Sequence, residues 1–179
     1  RRDLVLGKFL GRAGALAGAL AVAGLLGGGY LLLSYGDFAA GDYLVVLLAT
    51  FGYTLSFVGI AVGISTGVDS PRRVIGAAFG VYALLAMLWG TVVQTVMLLL
   101  FRFQPPRESP TWVEFARFVE PGTSLRYLLA TEFGIGSAPP EPVIGTEPFV
   151  STAGALAALL AWMLLPVLLG YARFQRSEL

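Results

Sequence analysis

Four stretches of the chain carry no charged residue: Ala13–Gly36, Tyr43–Val68, Val74–Phe101 and Phe149–Ala172. Each exceeds the roughly 20 residues that a helix needs to cross the hydrocarbon of a bilayer. Within lipid the backbone must satisfy its own hydrogen bonds, so each run predicts a helix. The polar positions gather between them, in Asp37–Asp42, in Asp69–Arg73 and in one long segment, Arg102–Pro148, rich in Pro and Glu. The pattern predicts an all-α polytopic membrane protein of about four transmembrane helices, 13–36, 43–68, 74–101 and 149–172. A short segment, 1–12, precedes the membrane domain, 13–179, and 102–148 forms an outer segment.

That outer segment has a pattern of its own. Thr111-Trp112-Val113-Glu114 reads as a capping box opening a helix. Trp112, Phe115, Ala116 and Val119 then share a face at helical spacing, with Arg117 on the solvent side, and Pro121-Gly122 ends the helix. A second amphipathic piece sets Leu125, Leu128 and Leu129 against Arg126 and Glu132. The two predict short helices lying at the outer interface, followed by an irregular loop over 137–148.

Composition agrees with lipid as the main solvent. The chain is 56% hydrophobic and 13% charged, against about 25% charged in soluble domains. It has no Cys and no His, which removes disulfides, thiol nucleophiles and the commonest metal ligand. The net charge of +1 points to no nucleic-acid partner. Charge distribution sets the orientation. Eight basic residues (Arg1, Arg2, Lys8, Arg12, Arg72, Arg73, Arg173, Arg176) fall on one side and four (Arg102, Arg107, Arg117, Arg126) on the other. The richer side is expected to be cytoplasmic, placing both termini inside. The expected location is the cell membrane.

The spans contain no Asp, Glu, Lys, Arg or His. That argues against a proton-driven carrier and an intramembrane hydrolase. Thr54, Ser56, Gln94 and Thr95 are the candidates for pathway or helix–helix polar contacts, Gln94 foremost. For Gln94 an interhelical hydrogen bond is the plainer reading. Glycines recur four apart at Gly14/Gly18, Gly24/Gly28, Gly59/Gly63, Gly63/Gly67 and Gly76/Gly80. Such spacing lets helix backbones approach closely. Pro166 is expected to kink the last span or loosen one turn.

Gly7-Lys8 is followed by Phe9, so it is not a phosphate-binding loop, and no nucleotide site is expected in this chain. The stretch RRDLVLGKFLGR, residues 1–12, joins basic groups to apolar Leu4, Leu6 and Phe9 and runs directly into span one. It has the shape of a docking element, or more simply of a basic flank that anchors a helix.

Several segments resemble type-two ABC exporter permeases (ABC-2 family transporter membrane subunits). RRDLVLGKFLGR is similar to the arginine-rich turn and LGK-x-LGR that precede their third membrane helix. STGVDSPRRVIGAAFG resembles their cytoplasmic loop between helices four and five. RFVEPGTSLRYLLATEF resembles the outer segment before their last helix, with Glu120 where Asn is commoner, and GYARFQRSEL resembles their basic C-terminal end. The subgroup most similar in appearance is the permeases related to the nitrous-oxide-reductase maturation system.

The resemblance implies a permease subunit that moves substrate across the membrane and has no catalytic site of its own. ATP and Mg would be held by a cytoplasmic ABC ATPase partner, beside a second permease, identical or not. Arg1, Arg2, Asp3, Leu4, Leu6, Gly7 and Lys8 would form the ATPase-coupling element. The four spans would match helices three to six of a six-helix permease, with the first two missing here, in keeping with the absent initiator Met. The alternative is a non-transporting membrane assembly or anchoring subunit.

Overall fold

The computed structural model describes residues 2–36, 39–67, 70–139 and 144–176, the side chains of 2–6, 67 and 174–176 excepted. Arg1 and part of the 137–148 loop therefore lie outside the described residues. The elements are helices: α1 Arg2–Tyr35, α2 Ala40–Gly67, α3 Pro71–Ala83, a π-helical turn Leu84–Leu88, α4 Trp89–Leu100, α5 Thr111–Phe118, α6 Pro121–Phe133 and α7 Thr152–Arg176. Among the described residues there is no strand. Four continuous helical stretches are long and apolar enough to cross a membrane: 7–35, 40–66, 71–100 (α3, the π turn and α4) and 152–173.

Segment 1–12 is not a separate element, because its described backbone is the first part of the 34-residue α1. The third span begins where Pro71 takes the first helical position, where its missing N–H costs nothing. Its middle is interrupted by the π turn, which shifts the register of every side chain beyond it.

Helices α2 and α7 form the centre. Ser56, Val58, Gly59, Ile60, Val62 and Gly63 are all buried, and Ser56 donates to the carbonyl of Leu159 across the interface at 3.3 Å. A Cβ added at Gly59 or Gly63 would overlap the carbonyl oxygen of Met163 or Pro166, so glycine permits the contact. The other spaced glycines behave differently. Gly14, Gly18, Gly76 and Gly80 face open space, and Gly24 meets only the flexible Leu47 side chain. Pro166 stands within the continuous α7, where its carbonyl is the surface that Gly63 packs on. Large apolar side chains cover the outside, with Leu25 78%, Leu33 89% and Ile75 70% exposed. In water such a surface would aggregate, whereas in a bilayer it faces lipid.

Candidate functional site

Helices α5 and α6 form a hairpin, and their junction lies well below the ends of the spans. The indole N–H of Trp89 donates to the Ala116 carbonyl at 2.6 Å, and that of Trp162 to the Val119 carbonyl at 2.8 Å. At 1.5 Å per residue, Trp89 sits roughly 17 Å below Leu100 and Trp162 roughly 15 Å below Thr152. Helical side chains lean toward their own N-terminus, so the turn lies roughly 10–17 Å below the outer ends of the two spans. Helix α6 then climbs back until Glu132 accepts a hydrogen bond from Thr152. Both short helices are present, and their junction dips between the spans, re-entrant relative to their outer ends.

Depth explains the turn's bonding. The last carbonyls of α5 have no partner in their own helix and no water to turn to. Phe115 O accepts from Val119 N, Ala116 O from Trp89, Phe118 O from the Ser124 hydroxyl at 2.7 Å, and Val119 O from Trp162. At the start of α6, Glu120 is the cap. One carboxylate oxygen accepts Gly122 N–H at 2.7 Å, and the other accepts Thr123 N–H and the Thr123 hydroxyl at 2.7 and 2.8 Å. Asn, Asp and Ser usually cap by this route. Here the longer Glu side chain does so, placing a 91% buried carboxylate on the positive end of a helix.

The capping box expected at Thr111 is absent. Pro110 takes the cap position, Thr111 is already helical, and its hydroxyl donates to Glu147 at 3.1 Å. Helix α5 is apolar on two faces, one turned to the protein and one outward. Val113 and Phe118 are buried, while Trp112 and Phe115 are 40% and 49% exposed. A re-entrant helix is apolar toward protein and toward lipid alike, so periodicity does not tell the two faces apart. Val113 packs on Val93 and Met97 of α4. Phe118 stacks edge-on with Tyr127, centroids 5.4 Å apart.

Arg117, expected to face solvent, instead enters the protein. Its Nη2 donates to Oε1 of Gln94 at 2.7 Å. Arg126 of α6 reaches Gly122 O and the Thr123 hydroxyl, both at 3.4 Å. Arg117, Glu120, Thr123 and Arg126 form one wall of a cavity of about 230 Å³, and Leu85, Ala86, Met87, Trp89 and Gly90 form the other. Tyr53 of α2 lies within electrostatic range of Glu120 and Arg126. The middles of the spans lack charge, and the hairpin carries charged side chains between them, below their outer ends.

The model of the ABC-2 family transporter proteins matches the chain over residues 1–179. The chain belongs to the ABC-2 family of transporter proteins. No curated protein and no solved structure matches it. As an ABC-2 family protein it is a membrane component of an ABC transporter, and the family implies a transport subunit rather than a catalytic one. The family implies an ABC ATPase as its partner.

Within this ABC-2 family protein the expected contact residues separate into two kinds. Ser56 and Gln94 bridge elements, to Leu159 and Arg117. Thr54 and Thr95 bond backward within their own helices, to Thr50 O and Thr91 O, both at 2.7 Å. Thr54 also lines a separate cavity of about 510 Å³ between α1, α2 and α3, with Arg12. Of the expected coupling element, Arg1 lies outside the described residues, as do the side chains of Arg2, Asp3, Leu4 and Leu6. Gly7 and Lys8 are exposed, whereas Phe9 turns inward onto Val58 and Val62.

Sequence reasoning left Arg117, Glu120 and Arg126 in an outer segment. One signal pointed deeper: Trp89 and Trp162 stand far inside charge-free runs. An indole N–H at that depth needs an acceptor, and helical carbonyls of the spans are already bonded.

Proposed function

We propose that the chain is the permease of an ABC transporter whose ATP is bound and hydrolysed, with Mg, on a separate cytoplasmic ATPase. The observation that carries this reading is the family match along the whole chain. In this reading two permeases, identical or not, join two ATPases in the cell membrane, with both termini of the chain cytoplasmic. The charge asymmetry supports that orientation. The segments quoted above support the narrower likeness to the nitrous-oxide-maturation permeases.

Arg1 to Lys8 would take the push from the ATPase. The continuity of α1 from Arg2 to Tyr35 supports this, since a rigid helix carries a displacement at one end to the other. Nucleotide would act by favouring one of two access states through contacts that differ between them. The test is co-purification with a candidate ATPase, followed by hydrolysis assays with and without this chain. Stable association with altered hydrolysis is expected. Association that leaves hydrolysis and substrate movement unaffected would instead identify a membrane anchor.

A further inference from the structure

We propose that the cavity between the hairpin turn and the π-helical turn binds an anionic group, a carboxylate or a phosphate, on the molecule that this transporter moves. That the bound molecule is transported rests on the permease reading; the binding site rests on the side chains alone.

The first observation is a surplus of positive charge that no described acidic residue pairs with. Arg117, Glu120 and Arg126 line the cavity, two cations against one anion. The Glu120 carboxylate is already committed, to two backbone N–H groups and a hydroxyl at the start of α6. It therefore also fills that helix N-terminus, which is closed to any ligand. The guanidinium bonds go to neutral acceptors: Gln94 for Arg117, and Gly122 O and Thr123, at long distance, for Arg126. Each guanidinium carries five N–H donors in a planar fork. Most of these remain for a ligand, and the fork matches the paired oxygens of a carboxylate or phosphate. Charged side chains at this depth are costly, and where they occur they mark pathways or binding positions.

The second observation is independent and comes from the opposite wall. Leu85, Ala86 and Met87 belong to the π turn, and Gly90 follows it. Such turns inside α-helices recur at functional sites. Here the turn faces the one charged cluster among the described span-depth residues. Gly90 carries no side chain into the space, and Met87, 74% exposed, stands at its edge. Trp89 has given its N–H to Ala116, so toward the cavity it offers only an apolar ring. The walls thus set two cations, without an ion pair among the described residues, against an apolar surface. The ligand that fits is amphipathic, an anionic head joined to an apolar part.

The test uses the full chain purified in a neutral detergent, with thermal unfolding followed against probe concentration. The anionic probes are oleate, dioleoyl phosphatidate and inorganic phosphate, and the uncharged counterparts are oleyl alcohol and dioleoylglycerol. Saturable protection by an anionic probe and none by its uncharged counterpart is expected. Arg117→Gln with Arg126→Gln should weaken the half-saturating concentration by about tenfold or more, the worth of one charged hydrogen bond. Arg117→Lys with Arg126→Lys should keep most of the affinity. Protection by phosphate alone would support a water-soluble source of the anion, and protection only by oleate or phosphatidate a lipid-like one. Equal protection by charged and uncharged probes, or by none, overturns the proposal on the parent protein, even if the Gln variant does not fold. Undiminished affinity in a folded Gln variant overturns it as well. ATPase co-purification from the same preparation separates the two readings. Anion binding without ATPase association would refute the permease reading alone, and the reverse would refute this site alone.

Discussion

Trp162 of α7 donates its indole N–H to the main-chain carbonyl of Val119, 2.8 Å away and 43 positions earlier in the chain. With the matching bond from Trp89 to Ala116, it holds the tip of a re-entrant hairpin between two spans. Replacing Trp162 by Phe keeps the ring and removes the donor, leaving a carbonyl unsatisfied away from water. A loss of about 1–3 kcal/mol in unfolding free energy is expected, and a similar one for Trp89→Phe. Unfolding of the purified chain in mixed micelles measures it. Unchanged midpoints for both variants would show that the indoles only fill space.

Glu120 should be replaceable by a shorter cap but not by an apolar residue. Glu120→Ala strips three hydrogen bonds from the start of α6 and is expected to cost about 1–2 kcal/mol. Glu120→Asn, which caps in the ordinary way, should recover most of that. If Ala and Asn prove equally stable, the capping role is wrong.

The α2–α7 seam depends on absent side chains. Gly59→Ala and Gly63→Ala force Cβ atoms into the carbonyls of Met163 and Pro166. Overpacking of this kind costs about 1–3 kcal/mol. Gly14→Ala and Gly18→Ala, where nothing lies within 4 Å, should be neutral or slightly stabilising, since Ala is the better helix former. Equal effects at the two pairs would refute the close seam.

Hairpin depth is measurable because the chain has no native Cys. A spin label at Phe115→Cys, on the lipid-facing side of α5, should collide mainly with oxygen. One at Arg107→Cys should collide mainly with a water-soluble nickel chelate. Like values at both sites would place α5 flat at the interface instead. An impermeant thiol reagent added outside intact cells should label Arg107→Cys, whereas Ser177→Cys should be shielded; the reverse would invert the orientation.

Coupling is tested at the beginning of α1. Leu4→Ala with Leu6→Ala keeps every charge and removes apolar contact. A few apolar anchors dominate such interfaces, so ATPase association should weaken by about 2 kcal/mol or more while membrane insertion stays normal. Parent-like association and transport in the double variant would reduce this segment to a lipid anchor.

The sequence by itself determined the four spans, because lipid leaves a long charge-free run no conformation but the helix. It also supplied the family likeness through the segments around Arg1–Arg12, Asp69–Arg73 and Glu120. Two short helices in the outer segment were legible from their 3.6-residue spacing and from Pro121-Gly122. Their depth was not, because a helix lodged between protein and lipid is apolar on both faces and hydropathy cannot rank them. The tertiary structure decided that Val113 and Phe118 face inward, and that Arg117 meets Gln94 rather than water. It also chose Gly59 and Gly63, among five equally spaced glycine pairs, as the point of contact. Each of these depends on which distant carbonyl or cation completes a bond, and local spacing holds no record of groups 23 or 103 positions away.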